Sequence, residues 1–131
     1  MKKTTALFIT VIMMFGLCAC SKTADPINLP TTDEITSIEI SDTEGNLQSS
    51  ITEAEQIEKF VAEISGAKAT NKSTVQDMPN VDDYYKADIT CGEKITTIFF
   101  YEENEKHYVE QPYQGVYEMN TSLQKLLDDM E

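Results

Sequence analysis

Apolar positions along the chain fall into distinct patterns, and each predicts a different element. From residue 52 onward, Ala54, Ile57, Phe60, Val61 and Ile64 recur at helical spacing and form one stripe. Thr52-Glu53-Ala54-Glu55 fits a capping box at its start, and Gly66 sits where such a helix stops. Glu55 and Lys59 stand four apart in the order that supports a helix. Residues 84–91 instead alternate, with Tyr85, Ala87, Ile89 and Cys91 on one parity, which predicts a strand with one buried face. Gly92-Glu93 supplies a two-residue turn into residues 95–101, which are apolar on both parities and predict a central strand covered on both sides. Residues 102–105 make a polar turn into residues 106–110, completing a three-stranded antiparallel meander.

The flanks are less regular. Residues 34–41 are rich in β-branched side chains and predict a strand, followed by turn residues 42–46 and a short return strand near Leu47. Residues 67–81 are polar and irregular. Residues 111–117 read as an aromatic loop or edge segment, because Pro112 cannot donate to a ladder. Thr121 and Gln124 fit a second capping box, and Leu123, Leu126, Leu127 and Met130 share a helical face. The acids Asp128, Asp129 and Glu131 oppose the helix dipole at its end. The sum is an α+β domain: an antiparallel sheet of about four to five strands with two helices packed on one face.

The N-terminus follows another logic. Lys2 and Lys3 precede an uncharged apolar stretch over residues 6–17. A helix of that length rises about 18 Å, too short for the ~30 Å hydrocarbon core of a bilayer, so the layout is that of a secretory signal peptide. It ends in Leu17-Cys18-Ala19-Cys20, which resembles the lipobox of bacterial lipoproteins. That resemblance implies a diacylglyceryl group on the Cys20 sulfur and cleavage before it. Two acyl chains suffice for stable anchoring. The division is a signal peptide over 1–19, a lipidated Cys20 with a flexible tether over 20–32, and one domain over 33–131. Pro26, Pro30 and the lack of periodicity mark the tether, whose reach as a random coil is ~20 Å.

Charge narrows the partners. The 131 residues carry 10 Lys+Arg, every one a lysine, against 23 Asp+Glu, for a formal charge of −13. Removing residues 1–19 takes away two lysines and no acid, so the processed chain stands at −15. Such a surface disfavours nucleic acid, which needs a basic face, and it repels anionic headgroups, leaving the lipid to hold the domain at the membrane. Once Cys18 is lost and Cys20 lipidated, Cys91 has no partner for a disulfide, and its parity with Ala87 and Ile89 predicts a buried thiol.

No catalytic constellation stands out. His107 is the sole imidazole, and the glycines are isolated, so neither a histidine-based triad nor a phosphate loop has a motif. Asp77, Asp82 and Asp83, and Glu102, Glu103 and Glu105, lack the alternating spacing of a calcium loop. No cofactor and no metal are expected. All 6 Tyr lie in the final half, and tyrosine favours interfaces. Tyr113, Gln114 and Tyr117, in one aromatic loop, are the candidate binding residues.

Residues 67–79 with Tyr84, and residues 108–117 (Tyr-Val-Glu-Gln-Pro-Tyr-Gln-Gly-Val-Tyr), resemble a family of small lipoproteins of unknown function from Gram-positive bacteria. The likeness runs in order over about residues 35–130. It implies an extracytoplasmic, lipid-anchored domain and brings no activity. The functional expectation is a non-catalytic binding or interaction module at the membrane's outer face, with an envelope protein as partner. The alternatives are an inhibitor or sensor domain for another envelope protein, and a small carboxylate-based enzyme.

Overall fold

The hairpin predicted around Gly92 forms the middle of the sheet. The computed structural model describes residues 23–74 and 76–131; the segment expected to be a signal peptide, and Cys20, lie outside the described residues. Strand β1 is Ser37–Ser41, β2 Leu47–Ile51, helix α1 Ala54–Ser65, and β3 Lys68–Ala69. Then come β4 Tyr85–Cys91, β5 Lys94–Glu103, β6 Lys106–Gln111, β7 Gly115–Met119 and helix α2 Leu123–Asp128. A 3-10 turn over Thr32–Glu34 leads into β1. The strands form one antiparallel sheet in the order β2-β1-β4-β5-β6-β7-β3.

Register sets the two faces. Ile38 lies opposite Ile89, Ala87 opposite Ile98, Phe100 opposite Val109, and Val109 opposite Tyr117. Cross-strand partners share a face, so these residues make one apolar surface. Onto it the α1 stripe places Ile57, Phe60, Val61 and Ile64, and α2 adds Leu123 and Leu126 to the same core. Phe60 and Phe100 meet edge to face at 5.9 Å, a geometry that suits the ring quadrupoles.

The turns follow the residues. Gly92 takes φ +60° between Cys91 and Lys94. At the next hairpin Asn104 and Glu105 both take positive φ, 52° and 64°, the pattern that matches the twist of a two-residue hairpin. Helix α1 carries the expected Glu55–Lys59 pair at 3.9 Å.

Five expectations are corrected. The sheet has seven strands, not four to five, because the segments read as irregular supply two of them. Residues 115–119 are β7, with Pro112 left in the preceding turn, and Lys68–Ala69 pairs with β7 as β3. The cap of α1 is Glu53, with no side-chain bond, and the cap of α2 is Ser122, which accepts the Lys125 amide at 3.1 Å. β5 is covered on both sides only from Ile98 to Phe100, since Ile95 near its start is 63% exposed. Cys91, at the strand's end, is half-buried rather than buried.

The fifth correction concerns the tether. Ala24, Ile27 and Leu29 pack against the core, and the Ala24 amide bonds the Thr70 carbonyl at 3.0 Å. Residues 23–32 are therefore part of the folded body over their whole described length.

Phe60 sits at the centre of this packing. Phe60→Ala is expected to lower unfolding stability by about 3–5 kcal/mol, and Ile95→Thr, at an exposed position, by no more than about 0.5 kcal/mol. Urea unfolding of both variants checks the pair.

Candidate functional site

Helix length determines where the apolar face stays open. The twelve residues of α1 rise about 18 Å and the six of α2 about 9 Å, whereas the ten of β5 extend about 33 Å. At one end of the sheet a cleft of about 520 Å³ remains. It forms where β4 begins, β5 ends, β6 begins and β7 ends, beside the first residues of α2 and the turn after β1. Tyr85, 41% exposed, supplies open apolar surface, with Phe100 and Met119 buried in the wall behind it, and Asp42, Asp83, Glu102 and His107 supply its polar groups.

Local hydrogen bonding holds the walls. The Asp42 carboxylate accepts the amides of Glu44 and Asn46 at 3.0 and 2.9 Å, and also the Asn46 and Gln48 side-chain amides. The Asn46 bonds hold this carboxyl below its ordinary range, so the turn carries fixed negative charge. Thr43 Oγ1 donates to the Tyr84 carbonyl and accepts the Tyr84 amide, each at 3.0 Å, fastening that turn to the start of β4. Tyr84 packs edge to face on Phe99 at 5.4 Å. Opposite, His107 Nδ1 lies 3.4 Å from Glu102 Oε2. Carboxylates around exposed aromatic surface, with no lysine in the lining, make a receptor for a positively charged group.

The other face of the sheet is covered by the segment between β3 and β4. Thr74 Oγ1 donates to the buried Glu110 carboxylate at 2.6 Å. Lys72 pairs with Glu103 and stands 4.3 Å over the Tyr108 ring. Tyr101 faces Glu110 there; burial first, then that carboxylate's charge, push its phenol well above the ordinary value. A second cavity of about 300 Å³ lies between them. The two sequence stretches that carry the family resemblance thus meet across this face.

The predicted binding residues fall elsewhere. Tyr113 is 67% exposed at φ 61° and donates to Asp77 Oδ1 at 2.7 Å, a bond that raises its phenol pKa. Tyr117 is 1% exposed, inside the core, with its hydroxyl donating to the Asp25 carbonyl. Gln114 Nε2 donates to the Pro26 carbonyl at 2.9 Å. Gln114 and Tyr117 thus hold a peptide, but one from their own chain. Gln111 completes the grip: its amide accepts from Asn28 N and donates to Asn28 O, both at 2.7 Å. The cleft, on the opposite end of the sheet, was not among the candidates, since residues 42, 85, 102, 107 and 119 share no motif; only the shared parity of Tyr85 with Ala87 hinted at it.

Among the described residues no group of three His, Cys, Asp or Glu side chains is placed to hold a metal ion.

A family model described as "Domain of unknown function (DUF5300)", DUF5301, matches residues 23–118. An NMR structure of a protein from Ruminococcus gnavus is 34% identical, with a TM-score of 0.66 over 76% of this chain and 97% of that one. No curated protein matches. The family match takes in the packed N-terminal segment.

The Asp42 turn gives a pH test. Its carboxyl is depressed in the folded state, so the turn's stabilisation is complete above the ordinary Asp value of about 4 and is lost as pH falls through the lower folded value. The protection factor of the Asn46 amide, its exchange relative to the intrinsic rate at each pH, is expected to fall over that acid range in the wild type and to be low at every pH in Asp42→Ala.

Proposed function

We propose that this chain, which belongs to the DUF5301 family, is a lipid-anchored binding module outside the cytoplasm whose cleft receives a cationic group of an envelope protein partner. The cleft carries the reading: aromatic and thioether surface with three carboxylates around it suits a lysine or arginine side chain, through ring faces and charge-assisted bonds together. The acidic surface steers such a partner inward. An inhibitor or sensor of another envelope protein would use the same contact.

The lipid anchor is supported by the sequence alone. Lys2 and Lys3, the apolar stretch and Leu17-Cys18-Ala19-Cys20 favour export and modification at Cys20. No helix among the described residues is long and apolar enough to cross a membrane, which agrees with a protein attached through lipid. Cys20 bearing diacylglycerol as the first residue of the mature protein is the expected mass-spectrometric result.

Titration with a lysine-rich peptide, followed by NMR, tests the cleft. Shifts are expected at Tyr85, Glu102, His107 and Met119, weakening with added salt. Glu102→Gln is expected to weaken binding roughly 5–10-fold, the loss of about 1–1.4 kcal/mol. Shifts scattered over the acidic surface, indifferent to Glu102, would refute the reading.

A further inference from the structure

We infer that the N-terminal segment is a rigid mount that seats the β6–β7 turn against the lipid surface and points the cleft away from it. The inference rests on lipidation of Cys20, and goes beyond it by assigning a facing end and a distance.

Two observations carry it. First, the hold begins almost at the lipid. Ala24 is bonded to Thr70, Asp25 to Tyr117, Pro26 to Gln114 and Asn28 to Gln111. Three peptide units separate Cys20 from Thr23, at most about 11 Å of chain. A tether free to residue 32 would reach much further.

Second, the hold and the cleft are at opposite ends. β6 starts at the cleft with His107 and ends at Gln111, and β7 returns from Gly115 to Met119 at the cleft. The Cys91–Lys94 turn lies at the mounted end and the Asn104–Glu105 turn at the cleft end. The nine steps of β5 between them span about 30 Å.

The leash therefore brings the β6–β7 end close to the lipid.

Gly115 makes the mount testable without replacing any of its hydrogen-bonding side chains. A Cβ there would stand 2.3 Å from Ala24 Cβ and 2.9 Å from the Tyr117 hydroxyl, so Gly115→Val forces the segment off. The processed, lipidated full chain is placed in phosphatidylcholine–phosphatidylglycerol vesicles carrying a headgroup acceptor dye. A donor is attached either at Cys91 or, in Cys91→Ser, at Asn104→Cys. Transfer is expected to be strong from position 91 and several-fold weaker from position 104, and Gly115→Val to bring the two together. Insertion of six Gly/Ser residues between Lys22 and Thr23, which leaves the fold intact, is expected to lower transfer from position 91. Equal transfer from both positions in the wild type, or a position-91 signal indifferent to the insertion, overturns the mount while Cys20 remains lipidated by mass spectrometry. An unmodified Cys20 overturns the anchor on which it rests.

Discussion

Two adjacent polar side chains in the middle of the sheet, Glu110 and Gln111, organise everything that is irregular in this molecule. They are 5% and 9% exposed. A polar group in such surroundings costs about 1–3 kcal/mol if left without a partner. Neighbours on a strand point to opposite faces, so the two demands fall on opposite sides. Glu110 draws Thr74, and with it the long segment between β3 and β4, over one face. Gln111 draws Asn28, and with it the N-terminal segment, across the end of the other. Both segments lack secondary structure over most of their length, yet both are fixed by the same strand.

The opposite end of the sheet has no such cover. β5 outruns the helices, and the apolar face that they bury elsewhere comes to the surface beside Tyr85 and Met119. A protein that closes one end with its own chain and leaves the other open has a direction. A peptide segment occupies side-chain amides and a phenol at one end; aromatic surface and carboxylates wait at the other. The side chains that hold the N-terminal segment and those that line the cleft are separate sets, although Phe100, Met119 and Leu123 serve both the core and the cleft wall.

What could be read from the sequence is what periodicity records. The α1 stripe, the alternation through Ala87 and Ile89, and the glycine between Cys91 and Lys94 each placed an element correctly, because burial on one face leaves a repeat of 3.6 or 2. β7 escaped notice because Pro112 dominated the reading of its neighbourhood, although the proline lies in the turn and not in the strand. The N-terminal segment reads as a tether because its bonds run from side chains of β6 and β7 to its backbone, and such bonds impose no pattern on the residues that receive them. Gln114 and Tyr117 were singled out for binding on tyrosine content; their chemistry does bind a peptide, at the place where the chain folds back on itself. The cleft was hidden for a geometric reason, since it arises from a mismatch of element lengths over residues spread from 42 to 124.

The two rims of the sheet are unequal. On one side β3 is only two residues long and is followed by Thr70, whose carbonyl already receives Ala24. On the other, β2 presents an outward row of backbone groups, with Leu47 exposed beside it. Edge-to-edge pairing between copies has only the second rim to run through. Such growth is self-limiting: a pair joined β2 to β2 has spent its open border, and the geometry that permits a two-fold dimer forbids a fibre.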